Sequence, residues 1–146
     1  MRSLTIKRTK TKIGCWEAAR IYIEDPIEGN AKVGQTRCRF LGIVKNGEEK
    51  TFEISENPSR IYVFAESMSK KYCTDFYKLP AGNEDAYLTG QARFNLINGS
   101  VFRFDGVSDP EILEHRKKST QASISVVLLS VAIGSLFGLL LAYLLK

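Results

Sequence analysis

Side chains that could carry out nucleophilic chemistry are sparse in this chain. Histidine is the usual base for a serine or cysteine nucleophile, and the 146 residues contain only one, His115. His115 lies beside Arg116 in a charged segment ahead of a long apolar run, a setting typical of a solvated linker. The sequence also lacks the G-x-S-x-G, P-loop and H-E-x-x-H patterns. We therefore predict no catalytic residues and no enzyme activity.

Metal chemistry is not supported either. The three cysteines, Cys15, Cys38 and Cys73, are widely spaced and form no C-x-x-C pair. Zinc sites of known spacing use thiolates that lie close together in sequence. We predict no metal site and no cofactor. Free thiols persist in reducing compartments, so the cysteines favour a domain that faces the cytoplasm.

Acidic side chains leave one route to catalysis open. The adjacent carboxylates at 48–49 and 84–85 lie in predicted turns, where solvated charge is their usual role, and they lack the ligand spacing of a calcium loop. A pocket of buried, perturbed carboxylates would instead indicate a membrane-tethered hydrolase, which is an alternative function. The candidates for such a pocket are Asp75, Glu17 and Asp105.

The residues from Ala122 to Leu145 contain no charged side chain. A helix of that length is about 36 Å long, and the hydrocarbon core of a bilayer is roughly 30 Å thick. We predict a transmembrane helix at 122–145, a basic juxtamembrane helical linker at 108–121 and a soluble domain at 1–107. Because no apolar segment of the signal-peptide type follows the basic N-terminus, we expect a single-pass, tail-anchored protein.

Small side chains recur every four residues within the predicted span. They are Ser130, Gly134, Gly138 and Ala142. A stripe of this kind lets another helix approach closely, which is how helices associate where lipid removes the hydrophobic incentive. We predict a helix–helix packing surface for a homo-oligomer or a membrane protein partner. A membrane-disrupting effector that acts through an oligomerised span is a second alternative function.

Basic side chains form two clusters at the ends of an otherwise mildly acidic domain. Residues 13–115 hold 12 basic and 16 acidic side chains, so a continuous basic stripe for nucleic acid is not expected. Positive charge next to a span favours the cytoplasmic side. The lipid bilayer is therefore a predicted partner. The membrane-surface basic residues would be Arg116, Lys117, Lys118, Lys7, Arg8, Lys10 and Lys12. For the four N-terminal residues, a solvated edge strand is the alternative.

Alternating apolar residues and frequent turns predict short strands throughout residues 1–107. Leu4, Ile6 and Arg8, for example, alternate with polar residues in a first strand. The Asn46-Gly47 turn between two β-rich runs predicts an antiparallel hairpin over residues 38–54. Seven to eight strands, with no amphipathic helix before residue 108, indicate an all-β fold, a small antiparallel β-sandwich. Ser108 is predicted to cap the helix that follows.

Several short motifs occur in an order that resembles the PEGA-type and related small β-sandwich domains of bacteria. They are "I-x-R", then "Y-I" and a Gly/Asn loop, then "L-G-I-V-K-N-G-E-E-K-T-F-E-I", then "I-Y-V". The resemblance covers residues 3–66, and the PEGA tetrapeptide itself is absent from the expected turn. It implies an interaction module associated with the cell envelope, in which the turn at 45–48 joins two central strands.

Together these features predict a non-enzymatic, tail-anchored membrane protein. Its cytoplasmic β-sandwich would act as a protein-interaction or scaffold module at the membrane surface. Trp16, the only tryptophan, is interpreted as core filler or as cover for a domain edge rather than as a ligand platform.

Overall fold

Short strands separated by turns fill the body of the chain, and the computed structural model describes residues 1–65, 75–95 and 99–145. The strands are β1 Arg2–Arg8, β2 Ala19–Glu24, β3 Ala31–Val33, β4 Thr36–Val44, β5 Glu49–Ile54, β6 Ser59–Ala65, β7 Phe76–Leu79, β8 Ala86–Asn95 and β9 Gly99–Phe104. One helix, α1 Pro110–Leu144, follows them. The predicted β-sandwich with a C-terminal helix is confirmed, with nine strands in the described ranges rather than seven or eight.

Two sheets pack face to face. One has the strand order β5-β1-β8-β9 and the other β3-β4-β2-β6-β7. Their inner faces bury aliphatic side chains that alternate along the strands, among them Leu4, Ile6, Ile21, Ile61 and Val63, all at 0% exposure. Burying each such side chain fully contributes about 1.5–3 kcal/mol, so the contact between the sheets dominates the stability of the domain.

Strands β1 and β8 run parallel, with Leu4 opposite Ala86 and Arg8 opposite Gly90. The other described strand pairs are antiparallel. Parallel neighbours require a long connection, and here the chain builds β2 to β7 before β8 returns beside β1. The sandwich is therefore mixed at this one position, where an antiparallel arrangement was expected.

The turn at 45–48 does not close a hairpin. Strand β4 belongs to the five-stranded sheet, whereas β5 pairs with β1 in the other sheet. Gly47 has a φ of 80°, and no non-glycine residue in the described ranges has a positive φ, so Asn46 has a negative one. This is the pattern of a type II turn and not of the type I′ turn that matches the twist of paired strands. The predicted hairpin over residues 38–54 is wrong, because the turn carries the chain from one sheet to the other.

Helix α1 begins one residue later than predicted. Asp109, not Ser108, caps it: the Asp109 Oδ1 accepts hydrogen bonds from the backbone N–H of Glu111 at 2.9 Å and of Ile112 at 3.4 Å. Pro110 fits the first turn because that position needs no N–H donor. From Pro110 the helix runs unbroken for 35 residues to Leu144, so the predicted linker and span form one continuous element.

Candidate functional site

The base of helix α1 is attached to the sandwich by a buried ion pair. The Arg116 Nε donates to Asp75 Oδ1 at 2.8 Å, and Arg116 Nη2 donates to Asp75 Oδ2 at 2.6 Å and to the Phe104 carbonyl at 2.8 Å. The backbone N–H of Phe104 also donates to Asp75 Oδ2 at 2.8 Å. Asp75 is fully buried. A two-point guanidinium–carboxylate contact fixes orientation as well as distance, so this pair sets the direction in which the helix leaves the domain.

Ile112 adds an apolar contact to the same joint. It is 1% exposed and packs in a cluster on the outer face of the five-stranded sheet. The cluster also contains Tyr22, Val33, Cys38, Tyr62, Phe64 and Phe76. His115 lies one turn further along the helix, with its ring edge-on to Phe76 at a centroid distance of 6.1 Å. The only histidine is therefore used in packing at the joint rather than exposed in a linker.

Charged side chains surround the start of the helix. Lys78 Nζ lies 2.5 Å from the Glu111 carboxylate and 3.2 Å from that of Asp109, and Arg60 lies 3.6 Å from Glu111. The hydrogen bond to Glu111 raises the pKa of Lys78, and the same bond lowers the pKa of Glu111. Both shifts favour the charged forms, so these groups hold the first turn of the helix against β7.

These contacts define the two ends of the sandwich. Lys78 contacts Glu111 near the start of the helix, and Asp75 contacts Arg116 five residues later. The helix therefore runs towards the end of the sandwich at which β6 finishes and β2 begins. The strand register places the loop at 9–18 and the turn at 45–48 at this end, which we name the span-proximal end. The loops at 25–30, 55–58 and 80–85 lie at the opposite, span-distal end.

The structure separates the predicted membrane-surface basic residues into two groups. Arg116 and Arg8 are engaged inside the fold, since Arg116 pairs with Asp75 and Arg8 is 2% exposed with its guanidinium on the carbonyls of Gly14 and Glu17. The others are exposed: Lys7, Lys10, Lys12, Lys117 and Lys118. Lys118 also lies 2.8 Å from the Glu114 carboxylate. Two arginines in the predicted set therefore have structural contacts that the charge pattern did not indicate.

An open cleft of about 870 Å³ marks the span-distal end. Its walls come mainly from the ends of β2 and β5 and from the loops that follow them, with Met1 and Arg39 beside them. The acidic residues in the walls are Glu24, Asp25, Glu28, Glu53 and Glu56. Asp25 is partly neutralised by Arg39 at 3.4 Å, and Glu56 by the amino group of Met1. The loops at 25–30, 55–58 and 80–85 carry five acidic residues and no lysine or arginine. The cleft suits a positively charged or hydrogen-bond-donating partner.

The stripe of Ser130, Gly134, Gly138 and Ala142 lies on the exposed part of the helix. A Cβ added at Gly134 or Gly138 would meet nothing within 4 Å. Ser130 donates its hydroxyl to the Val126 carbonyl at 2.8 Å. The segment is long and apolar enough to cross a membrane. The chain thus presents the stripe without packing any of its own described residues against it.

The carboxylates named as hydrolase candidates have separate hydrogen-bond partners. Asp75 is paired with Arg116, whereas Asp105 accepts from the Thr89 hydroxyl at 2.9 Å at the edge of the other sheet. Glu17 lies in the loop held by Arg8. Within the described residues, no group of three or more potential metal ligands occurs.

The two described cysteines differ in accessibility. Cys15 is exposed and Cys38 is buried, and both are free thiols. Burial raises the pKa of Cys38 to about 11, which keeps it as an unreactive thiol at neutral pH. Cys73 lies outside the described residues.

No protein-family model matches the chain, and no curated protein matches it. The resemblance to PEGA-type domains remains a prediction.

Proposed function

We propose that this chain is a non-enzymatic, membrane-anchored interaction protein. Helix α1 anchors it through a single span, and the β-sandwich acts as a scaffold or binding module next to the bilayer. The observation that carries the proposal is the joint of Arg116 with Asp75, supported by Ile112 and Lys78. A module connected by a flexible linker would sample many orientations, whereas this joint gives the domain one orientation relative to its anchor.

That orientation turns the acidic cleft away from the membrane. The partner surface we propose is the span-distal end, where Glu24, Glu28 and Glu53 line the cleft. An acidic surface is repelled by anionic lipid and attracts basic segments of other proteins. The partner is therefore expected to carry lysine or arginine where it contacts this end.

The chemistry of the buried carboxylate supports a role without catalysis. Asp75 is the one fully buried acid among the described residues, and its oxygens are occupied by Arg116 and by the backbone of Phe104. A general acid or base must have an oxygen within reach of a substrate. Asp75 is committed instead to positioning the helix.

We also propose which side of the membrane the domain faces and what the span packs against. Lys117 and Lys118 precede the apolar segment, so the domain is expected to face the cytoplasm. The stripe from Ser130 to Ala142 would pack against a second copy of the span or against the span of a partner. Packing against a second copy would gather two or more sandwiches at one place on the membrane, and packing against the span of a partner would hold the sandwich beside that partner.

Site-specific photo-crosslinking in the native host tests the partner surface. A photoreactive residue at Ile27, which is 82% exposed at the span-distal end, should form a defined protein adduct. The same residue at Tyr87, 55% exposed on the side of the sandwich, serves as the control and should not form that adduct. Glu28→Lys with Glu53→Lys should abolish the Ile27 adduct, and the corresponding glutamine substitutions should weaken it. Absence of any adduct specific to Ile27 would reject the span-distal end as the partner surface.

A further inference from the structure

The loop at 9–18 lies at the span-proximal end and presents apolar side chains to solvent. Trp16 is 78% exposed and Ile13 is 49% exposed. Trp16 is therefore not core filler, which was one of the two roles predicted for it, the other being cover for a domain edge. An exposed tryptophan leaves a large apolar surface in water, which is unfavourable unless another phase or molecule covers it.

The loop is held in this conformation by buried polar contacts rather than by its own apolar side chains. The guanidinium of Arg8 donates to the Glu17 carbonyl at 2.5 Å and to the Gly14 carbonyl at 2.6 Å. Gly14 has a φ of 62°, which a side chain would strain. Hydrogen bonds from the buried Arg8 thus fix the backbone of the loop, and the Trp16 side chain remains exposed to solvent.

A second clamp acts at the other side of the loop. The Asn46 amide donates from Nδ2 to the Thr11 carbonyl at 2.9 Å, and its Oδ1 accepts from the Thr11 N–H at 3.0 Å. The Thr11 hydroxyl donates to the Ile13 carbonyl at 2.9 Å. Asn46 thereby connects the loop to the turn at 45–48, which lies at the same end of the sandwich.

Positive charge accompanies the apolar side chains. Lys10 and Lys12 precede Ile13 and are exposed, and Lys45 is exposed on the adjoining turn. Tryptophan is enriched at the headgroup level of membranes, where its ring is buried and its N–H remains hydrated. Lysines near the surface are attracted to anionic lipid. Trp16 and its neighbouring lysines therefore have the chemistry of an interfacial membrane contact.

The direction of the helix places this loop near the bilayer. Arg116 fixes the helix at Asp75, and the apolar segment begins at Ala122. The six residue steps from Arg116 to Ala122 correspond to a rise of about 9 Å along the helix axis. The headgroup layer on each side of the hydrocarbon core is of similar thickness, roughly 5–8 Å. The span-proximal end of the sandwich must therefore lie close to the lipid headgroups.

We propose that the loop at 9–18 docks onto the same bilayer that the span crosses, with Trp16 and Ile13 in the interfacial layer and Lys10 and Lys12 against anionic lipid phosphates. The inference rests on the membrane anchoring proposed above and adds a second membrane contact. The ligand is the surface of an anionic bilayer. Because the joint already fixes the sandwich on its helix, a second contact would fix the tilt of both relative to the membrane plane.

The single tryptophan makes the test direct. The full chain is reconstituted into lipid nanodiscs with a tryptophan-free scaffold protein and with phosphatidylcholine and phosphatidylglycerol at three to one. The discs are made with or without brominated phosphatidylcholine that carries bromine near the headgroup. Trp16 emission should be blue-shifted and should lose at least half of its intensity in the brominated discs. Lys10→Glu with Lys12→Glu should reduce both effects, and so should discs made of phosphatidylcholine alone.

The matched control moves the tryptophan to the other end. Trp16→Phe with Ile27→Trp places a lone tryptophan at a similarly exposed, span-distal position, where emission should be that of an aqueous indole and bromine should not quench it. Incorporation of the parent into discs with Trp16 behaving like this control would overturn the loop contact and leave membrane anchoring intact. Failure of the parent to enter discs would overturn the anchoring and the loop contact together.

Discussion

Arg116 and Asp75 are 41 residues apart in sequence, yet the guanidinium of Arg116 contacts both carboxylate oxygens of Asp75 at 2.6–2.8 Å. Removing one member of a buried pair leaves the other charge without compensation, at a cost of about 3–5 kcal/mol. We expect Arg116→Met to lower the free energy of unfolding of the domain by about that amount. Near-ultraviolet circular dichroism during urea unfolding in mild detergent, on the full chain, measures the change.

Lys117→Met is the matched control for this prediction. It removes one positive charge from the next residue, which is exposed, and its effect should lie within about 0.5 kcal/mol of zero. Equal effects of the two substitutions would mean that Arg116 contributes only general charge. The Asp75–Arg116 pair would then not be the contact that fixes the helix.

The joint should also depend on pH. The hydrogen bond from Lys78 holds the pKa of Glu111 below its usual 4.5. A lowered pKa in the folded state means that the stabilisation is fully present above the unfolded-state pKa and is lost as pH falls through the folded-state value. The thermal midpoint of the domain should therefore decrease as pH is lowered from 6 towards 3.

Lys78→Met separates this effect from general acid unfolding. The variant lacks the partner that lowers the pKa of Glu111, so the decrease in its thermal midpoint over the acid range should be shallower than in the parent. Lys32→Met offers a matched surface control, because Lys32 is exposed and lies outside the joint, and its curve should follow that of the parent. Parallel curves for the parent and Lys78→Met would argue against any role of this hydrogen bond in stability.

An apolar residue at every second position predicts strands well, because successive side chains of a strand point to opposite faces of the sheet and one face is buried. Leu4 and Ile6 were expected to share a face, and both are fully buried. The partner of each strand is decided over longer distances. The Asn46-Gly47 signal favours a hairpin locally, but β5 buries Ile54 by pairing with β1 in the other sheet.

The contacts at the joint could not be read from the sequence for a related reason. Arg116 begins a run of three basic residues before an apolar segment, and the general rule for such runs assigns all three to the membrane surface. Only the fold brings Asp75 within reach of Arg116. The one available signal was the position of Asp75 directly before the apolar strand residues Phe76 and Tyr77. This position does not indicate which residue pairs with Asp75.

A close approach in β8 gives a sharp test of the sandwich itself. A Cβ added at Gly90 would lie 2.4 Å from the Phe102 ring and 2.7 Å from the Arg103 carbonyl. Overpacking of this kind costs about 1–3 kcal/mol, so Gly90→Ala should destabilise the full chain in detergent by at least that range. Adding Phe102→Leu should recover part of the loss, because the smaller side chain leaves room for the methyl group. If Gly90→Ala alone leaves the free energy of unfolding in urea unchanged, Gly90 does not lie this close to the Phe102 ring and the Arg103 carbonyl.

Membrane topology can be tested with a lysine-specific protease on intact bacterial cells that express the full chain. Lys32 is exposed at the span-distal end, and the domain should survive if it faces the cytoplasm, as Lys117 and Lys118 predict. The same domain should be cleaved once the cells are permeabilised, which controls for accessibility. Cleavage before permeabilisation would place the sandwich outside the cell.

The small-residue stripe makes a prediction about the span. Gly134 and Gly138 are exposed on the helix with open space where a Cβ would lie. If the stripe packs against another helix, isoleucine at either position should separate the backbones and remove close van der Waals contact. Both substitutions keep the segment apolar, so membrane insertion should be retained.

A reporter of span self-association in a bacterial membrane measures the result. The signal should fall for Gly134→Ile and for Gly138→Ile, and it should stay level for Leu139→Ile and Leu140→Ile, which add no bulk beside the stripe. Equal association of all four variants and the parent would show that the small residues do not mediate contact. A parent span that never self-associates would rule out the homo-oligomer, and the stripe would then be expected to pack against the helix of a different protein.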